Sequence, residues 1–377
     1  MGRTGRARTA AGPTLAVVAR EAGVSVPTAS KVVNGREDVA PETRRRVTEA
    51  LDRLGYVRRH RFDGAGATPL VDLVVNTLDD SASGAVLHGA ETAAHDAGLE
   101  VVVCAARTRT RTGAERPGRA WLERLVLRGS AGVLFHLAEP SPAQCVRLEQ
   151  HRVPFALIDP ACEPPSGAVS VGGANWQGGV TATEHLLALG HERVAVLAGP
   201  PGRTLSVRAR LAGYRSALAS AGVRHRPEYV RHADGTDDAA VGRVMRELLG
   251  LPEPPTAVFL CSDRMAPGVY GALAERGLRV PEDMSVVGFD DLPEARWLSP
   301  PLTTVRQPLA EMAATALHLL LRMREGQRPE STRTELSTRL VERASTAPPP
   351  APPLGRPAAV LLGGAAPWRE VSGPRPR

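Results

Sequence analysis

The chain has 377 residues, 42% of them hydrophobic and 3% aromatic, with 47 Lys/Arg against 40 Asp/Glu for a net charge of +7. This length supports two or three compact units. No apolar run approaches the roughly 18 residues of a membrane span, and the Arg-rich start leads into no apolar signal core, so a cytoplasmic protein is expected.

The charge is unevenly placed. Residues 1–61 hold 13 Lys/Arg and 6 Asp/Glu, so their +7 equals the net charge of the whole chain. A basic head on a neutral body suits a domain that neutralises phosphates and releases their counterions. The four cysteines have no metal-ligand spacing, and no metal or cofactor is expected.

Residues 1–12 read as a disordered arm, and residues 13–57 as a helical unit. Leu15, Val18, Ala19 and Ala22 recur at helical spacing behind Thr14, a good N-cap. Gly23-Val24-Ser25 breaks that helix, because glycine permits a left-handed turn and Val24 can plug the core beneath it. Ser25 can cap a second helix with Pro27 in its first turn. Ala29, Val32 and Val33 then pack inward, while Val26, Pro27, Thr28, Ser30 and Lys31 face outward until Asn34-Gly35 ends it. Pro41 opens a third helix with Val47, Ala50, Leu51 and Leu54 on one stripe. Three short helices with a tight glycine turn describe a helix-turn-helix, whose second helix enters the major groove.

The segments Thr14-Leu15, Val18-Ala19, Ala22-Gly23-Val24-Ser25, Ser30-Lys31-Val32-Val33-Asn34, Thr43-Arg44 and Leu54-Gly55-Tyr56 resemble the headpiece of the LacI/GalR family of bacterial repressors. The resemblance implies that Val26, Pro27 and Lys31 read bases. It also implies that Thr14, Ser25, Thr28, Ser30 and Asn34 position phosphates or cap helices. Lys31 is the only lysine; the other 46 basic residues are arginine. A lysine kept on the recognition face suits contact with a guanine edge.

Residues 58–69 form the expected hinge linker. The resemblance places a helix with a minor-groove wedge leucine here. In this chain that position holds Ala65 between Gly64 and Gly66, which weakens a helix, so less DNA bending is expected. Arg58, Arg59 and Arg61 can still follow phosphates.

From residue 70 to 344, short β-branched runs alternate with helical stretches. Strands are expected at 71–75, 100–103, 131–135, 154–158, 194–197, 256–260 and 285–289, and helices at 90–97 and 180–189. Such alternation argues for parallel sheets with helices on both faces, whose ligands sit beyond the strands' carboxyl ends. That rule selects Asn76, Asp79, Asp159, the loop after Leu197, Ser262, Asp263, Asp290 and Asp291. The segment Asp79-Asp80-Ser81-Ala82-Ser83-Gly84 reads as a roomy cleft lining or a flexible rim.

The runs Glu184-His185-Leu186 to His191, Arg208 to Tyr214, Ser285 to Asp291 and Pro301 to Gln307 resemble the same family's regulatory domain. The fold this implies is an all-α helix-turn-helix headpiece plus an α/β periplasmic-binding-protein-like domain of two parallel-sheet subdomains, joined by three chain crossings. It further implies a homodimer on double-stranded operator DNA and a small-molecule effector in the cleft. Effector positions transfer onto Asp159, Arg210 and Asp290, whose carboxylates and guanidinium suit a carbohydrate; Ser262 stands where the family usually has Asn. Trp176, expected in a loop after Val171, could stack on a sugar ring. Residues 345–377, rich in Pro and Ala, are expected to be a disordered tail.

Two other functions fit less well. Gly199-Pro200-Pro201-Gly202-Arg203-Thr204 superficially resembles a phosphate loop but lacks the Walker spacing and lysine, and no catalytic constellation stands out. An extracytoplasmic sugar-binding protein would suit the body, but not the basic head.

Overall fold

A computed structural model describes residues 15–33, 39–54, 68–106, 108–109, 115–200 and 204–350. Thr14, Asn34, Arg58, Arg59, Arg61, the arm, the wedge position and residues 351–377 lie outside this set.

The head is three helices, α1 (Leu15–Glu21), α2 (Val26–Val33) and α3 (Pro41–Leu54). Val18, Ala19, Ala29, Val32, Val47 and Ala50 form their shared core, with Leu15, Val24 and Leu51 packed on its edge. Gly23 takes φ +62°, the left-handed turn that glycine adopts without penalty. Arg46 of α3 donates to the Ala22 and Gly23 carbonyls, so its guanidinium holds the turn shut. Ser25 Oγ accepts from the Thr28 N–H at 3.2 Å, the N-cap the sequence suggested.

The body's first subdomain runs β1 (Leu70–Val75), α4 (Ser81–Asp96), β2 (Glu100–Ala105), a small hairpin of β3 (Thr108–Arg109) and β4 (Glu115–Arg116), α5 (Arg119–Arg128), β5 (Val133–His136), α6 (Pro142–Gln150), β6 (Phe155–Ile158) and β7 (Val169–Gly173). The second runs α7 (Asn175–Ala188), β8 (Val194–Ala198), α8 (Leu205–Ser220), β9 (Val230–His232), α9 (Asp238–Leu249), β10 (Ala257–Leu260), α10 (Ala266–Glu275), β11 (Ser285–Asp290), α11 (Glu294–Trp297) and β12 (Thr303–Arg306). The chain then returns with α12 (Leu309–Arg324) and β13 (Arg333–Leu336) to the first sheet, and ends with β14 (Arg339–Val341) in the second. The sheet orders are β13-β7-β6-β5-β1-β2 and β14-β12-β11-β10-β8-β9, so the chain crosses between subdomains three times, after β7, β12 and β13. Pairing in both is parallel except for β14, which runs antiparallel to β12.

Each sheet has apolar clusters on both faces, which is why its central strands read as unbroken apolar runs. Glycines set how closely the covering helices approach. A Cβ on Gly89 of α4 would fall 2.1 Å from the Ala310 carbonyl of α12, and one on Gly213 of α8 would fall 2.2 Å from the Trp176 carbonyl of α7.

Three expectations need correction. Helix α4 begins at Ser81, nine residues before the expected start, because the Asp80 carboxylate accepts the Ser83 N–H at 2.6 Å and caps it. The 79–84 segment is therefore a helix start rather than a flexible rim, and Asp80 and Ala82 from it line the cleft. Trp176 sits in the first turn of α7, not in a loop. The packed body also extends past residue 344: Ser345 is fully buried, its hydroxyl donating to the Val286 carbonyl at 2.6 Å and accepting from the Thr303 N–H at 2.8 Å. His191 Nε2 lies 2.9 Å from the Ala347 carbonyl.

Candidate functional site

Two places gather the polar and exposed groups singled out by sequence. The first is α2. Its packing side is buried, while Val26 (45% exposed), Pro27 and Lys31 are open to solvent and Thr28 and Ser30 are half-buried. Val26, Pro27 and Lys31 thus share one solvent-facing side of α2, opposite the buried Ala29 and Val32.

The second is the cleft between the subdomains, an inner chamber of about 190 Å³ bounded by the carboxyl ends of β1, β5, β6, β10 and β11. Its second-subdomain wall is centred on Arg210, which is 4% exposed. The guanidinium donates to Asn175 Oδ1 (2.7 Å), the Cys261 carbonyl (2.6 Å) and Gln307 Oε1 (2.9 Å), and pairs with Asp290 at 3.2 Å. It also lies 3.7 Å from the Phe289 ring centroid. A planar fork with five donors is the side chain that can serve so many acceptors at once. Close helix packing places it there: a Cβ on Gly179 would fall 2.2 Å from the Arg210 carbonyl. Asp290 is held from its other side by the Ser262 hydroxyl at 3.0 Å. Burial pushes its carboxyl up to about 6, opposed by the charge of Arg210 and reinforced by Asp159 and Asp80.

The opposite wall is different. Asn76 Oδ1 and His136 Nδ1 are buried with no hydrogen-bond partner among the described residues. Burial holds the His136 ring below its usual range, so it stays neutral near pH 7. Asp159 is 7% exposed just past the end of β6, its N–H donating to the Val171 carbonyl at 2.8 Å. Asp159 and Asp290 take φ of +46° and +111°, a left-handed region costly for residues with a Cβ.

Polar contacts among the described residues join the two walls. Arg264 pairs with Asp80 at 3.3 Å, the Ser81 hydroxyl donates to Glu294 at 2.8 Å, and the Leu205 N–H donates to the Ala161 carbonyl at 3.0 Å.

Of the effector residues expected from sequence, Asn76, Asp159, Arg210, Ser262 and Asp290 line this chamber. Asp79 does not: it is exposed, and Asp80 takes its place on the wall. Trp176 lines a neighbouring cavity. Asp263 is a brace behind the wall, accepting from the Leu292 N–H and the Thr304 hydroxyl, and Asp291 is tied up by Arg306 and Arg343. Sequence reasoning passed over His136 and Gln307. His136 ends β5 and would have been found by the strand-end rule had that strand been extended by one residue.

Comparison with known proteins bears on both places. A family model described as bacterial regulatory proteins, lacI family, matches residues 14–59, and one described as a periplasmic binding protein-like domain matches residues 183–346. The HTH-type transcriptional regulator CelR of Thermobifida fusca is 36% identical over 342 residues, covering 88% of this chain and 98% of that one. A solved transcriptional regulator CelR–cellobiose complex matches with a TM-score of 0.65 at 33% identity, covering 88% of this chain and 99% of that one. The lac repressor dimer bound to operator and the anti-inducer ONPF matches with a TM-score of 0.65 at 28% identity, covering 89% and 100%. No helix among the described residues is long and apolar enough to cross a membrane.

Proposed function

Because the chain belongs to the LacI family of bacterial regulatory proteins, we propose that it is a sequence-specific, operator-binding transcription repressor whose DNA affinity is set by a carbohydrate in the cleft. The observation that carries this reading is the pairing, in one chain, of an exposed α2 face with a cleft walled by two subdomains.

Two headpieces of a homodimer would place α2 in successive major grooves of a near-palindromic operator. Val26, Pro27 and Lys31 would contact base edges, and Thr14, Ser25, Thr28, Ser30 and Asn34 would position phosphates or cap helices. Arg58, Arg59 and Arg61 would follow the backbone between the half-sites. In the body, Arg210, Asp290, Ser262, Asp159 and Asn76 offer acceptors and donors to adjacent hydroxyls. A ligand touching both walls favours one subdomain arrangement over another, and that differential contact is what shifts the population able to bind DNA. Repression as the outcome is favoured by the likeness to the lac repressor.

Selection from a random duplex library, followed by fluorescence anisotropy with and without mono- and disaccharides, tests this reading. A preferred palindrome whose affinity changes at least fivefold with one sugar is expected; equal binding to all duplexes would overturn it. Lys31→Ala should cost about 1–3 kcal/mol and relax preference at one base pair. Unchanged affinity and selectivity would remove Lys31 as a base contact.

A further inference from the structure

Beside the inner chamber lies a larger cavity of about 410 Å³, whose walls include Trp176, Glu163, Arg333 and Glu335. Both cavities take wall from the first subdomain and from the second, and they share Asp159 and Ser206. The inner chamber alone falls below the roughly 300–1,000 Å³ of usual small-molecule pockets, while the outer cavity falls within it by itself.

The outer cavity has the equipment to hold a ring with hydroxyls on its edge. Trp176 is 47% exposed, and its main chain is fixed by the close approach of Gly213, so the indole is presented from a rigid turn. An aromatic face of this kind packs against the C–H face of a sugar. Arg333 donates to Glu335 at 2.5 Å on the same rim, a cation and a carboxylate side by side that suit neighbouring hydroxyls. Between the two cavities stands Asp159, nine-tenths buried, its N–H fixed to the Val171 carbonyl at 2.8 Å and its side chain lining both. The Leu205 N–H to Ala161 carbonyl bond closes the wall beside it. That bond joins the two subdomains, so it opens when they part.

We propose that the two cavities are compartments of a single site and that the effector is an elongated saccharide of at least two rings. One ring sits against Arg210 and Asp290, the next stacks on Trp176, and Asp159 accepts hydroxyls at the junction. This rests on the reading that the cleft binds a carbohydrate, and it assigns Trp176 the selection of chain length.

Titration calorimetry on the full chain tests it, using glucose, galactose and xylose against cellobiose, maltose, lactose and xylobiose. At least one disaccharide should bind tenfold or more tightly than its monosaccharide. Trp176→Ala should erase that advantage while leaving monosaccharide affinity within twofold, and Trp176→Phe should keep most of it. Equal weakening of both ligands by Trp176→Ala, or a disaccharide no tighter than its monomer, would overturn the two-compartment site while leaving the carbohydrate reading intact. If no saccharide of either length binds or alters operator affinity, the carbohydrate reading falls and this inference with it.

Discussion

The second-subdomain wall of the cleft is wired to itself: Arg210 serves Asn175, Cys261, Gln307 and Asp290, and Ser262 holds Asp290 from behind. The first-subdomain wall offers Asn76 Oδ1 and His136 Nδ1, buried atoms with no hydrogen-bond partner among the described residues, and beside them the buried Asp159. A buried polar atom without a partner costs about 1–3 kcal/mol, and such atoms are rare in folded proteins unless something else satisfies them. One wall is thus a preformed template. The other holds a deficit that a ligand's hydroxyls can relieve, and a ligand that relieves it favours the closed arrangement over the open one.

The sharpest way to break this contrast is to remove the template's centre. Arg210→Ala leaves the Asp290 carboxylate and two amide groups buried without their donor. Breaking such a pair costs about 3–5 kcal/mol. Thermal and urea unfolding should show that loss together with abolished effector response. A variant with unchanged stability would mean the wall does not depend on its guanidinium. A smaller effect is expected at Gly179, where an added Cβ would press on the Arg210 carbonyl. Gly179→Ala should destabilise by about 1–3 kcal/mol and weaken effector binding in proportion, since α7 and α8 must separate to admit the methyl group.

The opposite wall should respond in the opposite sense. Asn76→Ala removes an acceptor that has no partner, so the unfolding midpoint should hold steady or rise by a few degrees. Effector affinity should meanwhile fall about tenfold, the worth of roughly one net hydrogen bond. His136→Ala should behave alike in affinity, although its cavity will take back part of any gain in stability. If either substitution unfolds the body as readily as Arg210→Ala, the two walls are alike and the contrast is wrong.

The template was the more legible wall from sequence, and the reason is physical. Ser262 and Asp290 follow apolar strands, where the strand-end rule finds them, and family resemblance pointed at Arg210 and Asp290. The first wall was read with errors because its signals are local and ambiguous. Asp79-Asp80-Ser81 reads as a polar loop unless one knows that Asp80 caps a helix. His136 was hidden by a one-residue error in a strand end. The return strands β13 and β14, with Gln307 between β12 and α12, escaped because short, mixed-polarity strands gain stability only from a sheet built by distant residues. In the head, the turn glycine was plain, but Arg46, which clamps it, looked like any surface arginine.

The contrast also has a pH signature, which needs no substitution to be read. Burial pushes the Asp290 carboxyl up from its ordinary 3.8 to about 6, against the pull of Arg210. A carboxyl raised in the folded state binds its proton more tightly there than in the unfolded chain. Its contribution to stability is therefore fully present below pH 3.8 and is lost as pH rises through about 6. Effector binding should run the other way, because the charged carboxylate is the better acceptor for a hydroxyl. At pH 5 about nine in ten Asp290 carboxyls carry a proton, and affinity should be about tenfold weaker than at pH 7.5. On the facing wall, burial holds the His136 ring below its usual range. Asp290→Asn should flatten both the stability and the affinity profiles across that window. A wild-type affinity equal at pH 5 and 7.5 would show that the ligand leans on Arg210 alone and that Asp290 only holds the guanidinium in place.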